Sequence, residues 1–310
     1  MKVWVPSQDI MDALADLPEG LPRLDCSIYD GNGTLPGAPE EVEIWVPRLG
    51  WLPGIPDLLG RMGKLGLLQT VTAGVEAYLP HLPEHAVLCN ARGVHDAGTA
   101  EWVVGAMIAI LRELPGFALA QQRCEWDYHH TAALADSTVL IVGYGSIGEA
   151  VERRLAGFEV DVIRVARTAR QNGNGDVHGQ DELAGLLPAA DVVVLLVPAT
   201  PATAGMVDAE FLAAMKDGAV LVNAARGSVV DADALLPELL AGRLRAVLDV
   251  TPEEPLPPEH PLWTAPGVFI TPHVAGSTPA SARRTRKLVR EQIIRYLTGH
   301  PLANVITGQY

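Results

Sequence analysis

Apolar residues fall into short, mostly apolar runs of five or six positions, separated by stretches where they recur every third or fourth position. The first pattern predicts strands and the second predicts helices. Early in the chain the predicted strands are KVWVP (2–6), DCSIY (25–29), VEIWV (42–46), LLQTV (67–71) and AVLCN (86–90). After the first of these, Ser7 is placed to cap a helix carrying Ile10, Leu14 and Leu17 on one face. Residues 101–114 (EWVVGAMIAILREL) predict a strongly apolar helix. A second series follows: TVLIV (138–142), VDVIRV (160–165), VVVLLV (192–197), AVLVNA (219–224), RAVLDV (245–250) and GVFIT (267–271). Residues 279–298 predict one long amphipathic helix, and Pro237 predicts a shortened or kinked helix within DADALLPELLAG.

Strands alternating with helices predict an α/β protein with parallel sheets. The runs 192–197 and 219–224 are apolar without alternation, as strands covered by helices on both faces require. Because the second series begins after the apolar helix, residues 98–274 are expected to form one contiguous domain.

Composition narrows the function. The 310 residues suffice for two domains of ordinary size. A net charge of −14 argues against nucleic-acid or acidic-membrane partners, since phosphate contacts need a positive field. The longest apolar run, Val192 to Pro198, is far too short to span a bilayer. The opening MKVWVPSQDI predicts no signal peptide. Three widely spaced cysteines, Cys26, Cys89 and Cys124, imply no disulfide framework and suit a reducing cytoplasm. No metal site is expected: His81 and His85 have helical spacing, but Pro83 lies between them and there is no HExxH pattern.

The strand TVLIV runs directly into Gly143-Tyr144-Gly145-Ser146-Ile147-Gly148, after which Ile147, Val151 and Leu155 repeat at helical spacing. G-x-G-x-x-G between a strand and a helix is the context that binds a dinucleotide pyrophosphate at the helix N-terminus. The next strand ends in VIRVARTAR (162–170). A ribose-binding Asp or Glu normally stands about 20 residues beyond the glycines; here Ala166 and Arg167 occupy that place. Arg167, assisted by Thr168 or Arg170, suits the 2′-phosphate of NADP(H), while NAD(H) remains possible as cofactor. The alternative is a charged strand end in solvent. The run QNGNGD (171–176) predicts a flexible loop, either closing on the adenosine end or simply mobile.

Three segments after predicted strands carry candidate chemistry: NAARGSVVD (223–231), LDVTPEEPLP (248–257) and FITPHVAGST (269–278). Arg226 can pair with a substrate carboxylate and polarise a neighbouring carbonyl. His273 can deliver a proton, and Glu254 can favour its charged form. A guanidinium, a carboxylate and an imidazole at strand ends are what reduction of a 2-oxo acid requires.

With these segments, AGVE (73–76), TAEWVVGAMIAILR (99–112), LLVPATPATAGMVD (195–208) and HPLW (260–263), the chain resembles the D-isomer-specific 2-hydroxyacid dehydrogenases, in particular the glyoxylate/hydroxypyruvate reductase-like members. The resemblance implies two doubly wound parallel-sheet domains. A flavodoxin-like substrate domain from residues 1–97 and 275–310 would hold an inserted Rossmann cofactor domain, 98–274, with a cleft between them. It assigns catalysis to Arg226, Glu254 and His273, and a substrate carboxylate to the backbone of Ala73, Gly74 and Val75. To the cofactor it assigns Gly143, Gly145, Ser146, Ile147 and Gly148, then Val197, Pro198, Ala224, Ala225, Asp249 and Gly276. It implies a small 2-oxo or 2-hydroxy acid as partner, and a homodimer through the cofactor domain. Glyoxylate and hydroxypyruvate are the first substrates to expect.

Trp45 and Arg48 follow the third predicted strand, where they could reach substrate or serve as a core aromatic and a surface charge. Arg92 and His95 receive no role. His129-His130 is expected in an exposed polar connection. Two competing functions share the resemblance. One is a non-catalytic, dinucleotide-sensing corepressor, disfavoured by the acidic chain and the lack of extra interaction segments. The other is NAD-linked oxidation of 3-phosphoglycerate, which would need a second anion site.

Overall fold

The computed structural model describes residues 1–50, 52 and 54–307. Contacts divide the chain into two compact units, one of residues 1–95 and 279–310 and the other of residues 96–278.

The first unit opens with β1 (Lys2–Val5), α1 (Gln8–Ala13), β2 (Asp25–Ile28) and β3 (Ile44–Trp45). It continues with α2 (Ile55–Arg61), β4 (Leu67–Gln69) and β5 (Val87–Cys89). The second unit begins with α3 (Asp96–Leu111), α4 (Leu114–Gln122), β6 (Thr138–Val142), α5 (Ser146–Leu155) and β7 (Asp161–Val165). A hairpin follows, β8 (Arg170–Asn172) and β9 (Gly175–Val177), then α6 (Leu183–Leu186) and β10 (Val192–Leu195). The unit closes with α7 (Ala209–Ala214), β11 (Val220–Asn223), α8 (Ala232–Leu240), β12 (Arg245–Leu248) and β13 (Val268–Ile270). Helix α9 (Pro279–Thr298) returns to the first unit.

Among the described residues, the first unit holds a five-stranded parallel sheet in the order β2-β1-β3-β4-β5, the flavodoxin-like order. Trp4, Trp45, Leu68 and Leu88 face α2, while Val3, Val5, Ile44 and Leu67 face α1 and α9. Arg290 of α9 donates to the Ala13 carbonyl at 2.9 Å, satisfying an end of α1. Residues 303–306 then run beside β5, with Ile306 N–H donating to Leu88 O at 2.9 Å.

The second unit holds a six-stranded parallel sheet, β13-β12-β11-β10-β6-β7. Alternate residues enter two cores. Leu140, Val193, Leu195, Leu221 and Leu248 pack with Phe211 and Leu212 of α7 and Leu235 and Leu239 of α8. Val139, Ile141, Val192, Val194, Val220 and Val222 pack with α3 and α5. Both faces are covered, which explains why these strands read as unbroken apolar runs. Their chain order reverses between β6 and β10, and such a reversal creates a crevice at the strands' carboxyl ends.

Several local expectations are corrected. Most strands end one or two residues short of the apolar runs, where the last residues turn into edge loops, whereas β6 and β7 reach the ends of theirs. Ser7 precedes α1 but its side chain makes no capping bond. The 101–114 helix begins at Asp96 and stops at Leu111. Gly98 disguised its start: a Cβ there would lie 3.1 Å from the Thr278 methyl and 3.2 Å from Ala275 O, so packing demands a poor helix former. Glu113, at φ +52°, ends it before a new helix starts with Pro115 in its first turn. Helix α8 continues through Pro237, with Leu235 and Leu239 buried on either side. QNGNGD is a hairpin rather than a flexible loop, closed by a Gln171–Asp176 bond of 2.9 Å. Trp45 is fully buried against Tyr78, so it is a core aromatic. His129 and His130 do lie in an exposed connection, where His129 sits between Glu113 (3.1 Å) and Asp127 (3.3 Å), stacked on Phe117. Among the described residues, no single helix is long and apolar enough to cross a membrane.

Candidate active site and dinucleotide-binding edge

β6 ends at Val142 and the glycine motif turns the chain into α5. At Gly143 φ is +99°, and a Cβ would lie 2.6 Å from the backbone of Leu196 and Val197. The turn therefore crosses main chain leaving β10, at the reversal of strand order. A Cβ on Gly148 would press at 3.2 Å on Ile141 and Tyr144, so the third glycine seats α5 on its strand. At Gly145 nothing lies within 4 Å of such a Cβ. Open space there adjoins the first N–H groups of α5, at Ser146, Ile147 and Gly148; only from Glu149 do backbone bonds run within the helix (Glu149 N to Gly145 O, 2.9 Å). An anion can approach the backbone at this point, so the edge fits a dinucleotide pyrophosphate.

Arg164, Arg167, Thr168 and Arg170 lie at and beyond the end of β7. Arg164 pairs with Glu152 of α5 and is largely shielded. Arg167 and Thr168 are exposed. Arg170 Nη2 donates to Tyr144 O at 2.6 Å.

The loop after β11 is shaped by buried Asn223. Its Oδ1 accepts from Ala225 N–H and its Nδ2 donates to Arg226 O, both at 3.0 Å. Ala224 and Ala225 thus form a tight turn presenting Arg226, whose Nη1 also donates to Ala225 O at 2.7 Å. At Gly227 a Cβ would stand 1.8 Å from Thr251 O, so this turn touches the loop after β12 backbone to backbone.

That second loop carries Asp249 and Glu254. Asp249 is 3% exposed, yet its carboxylate is well satisfied. Oδ1 accepts from Thr271 Oγ1 (2.6 Å) and Val274 N–H (2.9 Å), and Oδ2 accepts from Ala275 N–H (2.9 Å). These bonds wrap the β13 loop round the carboxylate. His273 is held at φ +53°, with its N–H donating to Asp249 O at 2.8 Å. Its Nδ1 lies 2.7 Å from Glu254 Oε2. The Glu254 bond and charge raise the His273 pKa above its ordinary value, against partial burial and the Arg226 charge, while Asp249 adds to the rise. Burial alone would raise Glu254, but the His273 bond and charge, the Thr251 N–H and Arg226 together hold it below the usual carboxylate range. Arg226 is near enough to act on both. This arrangement can donate a proton beside a fixed positive charge.

In the first unit, Ala73, Gly74 and Val75 follow β4. Asn90 Nδ2 donates to Ala73 O and Thr72 Oγ1 donates to Gly74 O, both at 2.7 Å, so the turn is fixed by its carbonyls. His95 Nε2 lies 2.8 Å from Val71 O. Val197 and Pro198 leave β10 in a loop pinned by Thr203 Oγ1, 2.5 Å from Pro198 O. Gly276 follows the Asp249-bound backbone directly.

Sequence reasoning overlooked Asn223, Glu152 and the internal role of Asp249. Asn223 had a signal, as an amide closing an otherwise apolar strand. Glu152 had none, because its partners lie on three other elements.

A family model described as D-isomer specific 2-hydroxyacid dehydrogenase, NAD binding domain, matches residues 104–275. An uncharacterized protein in the proB 3′ region of Corynebacterium melassecola is 33% identical over 264 residues, 83% of this chain and 86% of its own. A D-isomer specific 2-hydroxyacid dehydrogenase from Xanthobacter autotrophicus Py2, solved with NADPH and MES, is 32% identical at a TM-score of 0.84. That match covers 99% of this chain and 98% of the other. An NADPH-dependent glyoxylate/hydroxypyruvate reductase from Sinorhizobium meliloti, solved with NADP and malonate, is 25% identical at a TM-score of 0.84. It aligns with 99% of this chain and 96% of its own.

The close approach at Gly227 makes a direct prediction. Gly227→Ala should lower the thermal midpoint by several degrees and reduce activity, because the new methyl must displace the Thr251 peptide. A thermal melt and a turnover assay both at parental values would refute it.

Proposed function

The chain belongs to the D-isomer specific 2-hydroxyacid dehydrogenases, which are NAD(P)-dependent enzymes, and from that premise we propose that it is an NADPH-preferring reductase of a small 2-oxo acid of the glyoxylate or hydroxypyruvate type. The observation that carries the reading is the 2.7 Å His273–Glu254 pair within the electrostatic reach of Arg226. The relative from Sinorhizobium meliloti supports the substrate class.

In this proposal the Arg226 guanidinium pairs with the substrate carboxylate and polarises the adjacent carbonyl. Backbone N–H groups of the turn at Ala73, Gly74 and Val75 are proposed as substrate contacts of the first unit. When bound, the reduced nicotinamide supplies the hydride that reaches the carbonyl carbon. His273, engaged through Nδ1 with Glu254, delivers its proton from Nε2 to the carbonyl oxygen, giving the D-2-hydroxy acid. Glu254 keeps the imidazole charged beforehand and fixes its orientation. Gly145, Ser146, Ile147 and Gly148 receive the pyrophosphate, with Val197, Pro198, Ala224, Ala225 and Gly276 along the same edge. Asp249 contributes by holding the His273 loop.

A homodimer through the cofactor unit belongs to the same reading. Trp126 and Tyr128 are 92% and 77% exposed, and Leu114 and Leu119 are also exposed, so apolar surface is concentrated on residues 114–128. Light scattering after size exclusion should report a dimer that Trp126→Ala/Tyr128→Ala weakens; a monomeric parent would refute this part.

His273→Ala and Arg226→Ala should each lose about 10²–10⁴ in turnover with the fold retained. Reduction needs the imidazolium, which is lost as pH rises through the His273 pKa, a value Glu254 raises. Glu254→Gln should therefore move the alkaline limb of the kcat/KM profile to lower pH. An unmoved limb would transfer attention to Glu253.

Cofactor choice is tested separately. Arg167→Ala should weaken NADPH about ten- to a hundredfold and leave NADH nearly unchanged, since one hydrogen bond to a charged group contributes about 1.5–3 kcal/mol. In Ala166→Asp/Arg167→Ala the preference should invert, because the new carboxylate repels a 2′-phosphate and accepts from a ribose hydroxyl. A parent that favours NADH in kcat/KM would refute the assignment.

A further inference from the structure

Residues 166–169, which carry Arg167 and Thr168, are tied at both ends to one residue of the glycine motif. Upstream, the Val165 carbonyl accepts from the N–H groups of Gly143 (2.9 Å) and Tyr144 (2.8 Å). Downstream, the Arg170 guanidinium donates to the Tyr144 carbonyl at 2.6 Å. Tyr144 therefore sets where the arginine-bearing segment stands.

Tyr144 is itself fixed by three other elements. Its hydroxyl donates to the Glu152 carboxylate on α5. Asn174, at the tip of the β8–β9 hairpin, donates from Nδ2 to the Tyr144 hydroxyl oxygen (3.0 Å) and to Glu152 Oε2 (3.2 Å). Arg164 of β7 places Nε 3.0 Å from both Glu152 oxygens, with its guanidinium 5.9 Å from the centre of the Tyr144 ring. Burial alone would raise the Glu152 pKa, but the bonds from Arg164 and Tyr144 outweigh it and keep the carboxyl ionised. Glu152 thus joins helix, glycine turn, strand and hairpin. It also engages Arg164 in an internal ion pair.

We propose that Glu152 and Asn174 are positioning residues for cofactor selection: they hold Tyr144 and the hairpin so that Arg167 and Thr168 are presented to a 2′-phosphate, with Arg170 serving as a strut. The inference rests on the NADPH reading above. Tyr144 and Glu152 give a polar hairpin with two glycines and three asparagines or glutamines at 171–175 a set of side-chain anchors. Its backbone contact with the sheet outside the hairpin is narrow: Ala166 N–H donates to His178 O at 3.0 Å and His178 N–H to Arg164 O at 2.8 Å. Side chains supply the remaining anchorage.

The test titrates the full chain and its Glu152→Gln and Asn174→Ala variants with NADPH and with NADH by protein fluorescence. The KM for glyoxylate and the thermal midpoint are measured alongside. Each variant should bind NADPH about five- to tenfold more weakly, the scale of one lost hydrogen bond, while NADH changes less than about twofold and the glyoxylate KM holds. A merely structural role would move the thermal midpoint without moving the NADPH/NADH ratio. Asn174 is exposed, so its variant decides the matter if Glu152→Gln fails to fold. A parent that prefers NADPH, with an unchanged ratio in the folded variants, overturns this inference and leaves the Arg167 reading standing. A parent that prefers NADH overturns both.

Discussion

At the carboxyl ends of β6 and β11 the main chain passes so close to a neighbouring loop that no side chain can stand between them. Gly143 meets the backbone of Leu196–Val197, and Gly227 meets the carbonyl of Thr251. Each contact replaces a layer of side chains with peptide against peptide. The loops are drawn together there, and the groups they carry share one small region. Without the first crossing, α5 could not begin beside β10 at the reversal of strand order. Without the second, Arg226 and the Glu254 loop would diverge. The covered sheet beneath makes these crossings tolerable, because strands buried on both faces give the loop ends a fixed origin.

Charge is arranged on this scaffold in two ways. Asp249 is a buried carboxylate whose oxygens accept from one hydroxyl and two peptide N–H groups, so it mainly shapes backbone while adding to the field at His273. His273 and Glu254 are partly exposed, and their opposite pKa shifts stabilise each other's charged form. The first arrangement resists change and the second responds to protons. His273 needs both, since its left-handed backbone is held by Asp249 O and its ring by Glu254.

The parallel sheets were legible in the sequence because a strand buried on both faces must be apolar throughout, as Val192–Leu195 and Val220–Asn223 nearly are. The glycine motif was legible for a different reason: Gly143 and Gly148 each answer a separate steric demand, and Gly145 leaves open space beside the start of α5. Helix boundaries were less so. The start of α3 is hidden by Gly98 and Thr99, which tertiary packing selects against local propensity. Asp249 could be read as one more group at the cofactor edge, because spacing along a chain cannot tell a carboxylate facing a ligand from one enclosed by the next loop. The hairpin at 170–177 was illegible because much of its anchorage comes from Tyr144 and Glu152, neither of which belongs to it.

That hairpin also bears on how an acidic protein comes to hold a highly charged cofactor. The chain carries a net charge of −14, so any field favouring an anion has to be local. Helix dipole and peptide N–H groups at Gly145–Gly148 meet a pyrophosphate without side-chain charge, and any dinucleotide satisfies them equally. In the proposed reading, discrimination between NADP(H) and NAD(H) falls to the segment after β7. Of its three nearby arginines, Arg164 is neutralised by Glu152 and Arg170 is bonded to the glycine turn. The number of cations the sequence gathers there therefore overstates the positive field that the packing leaves at that edge.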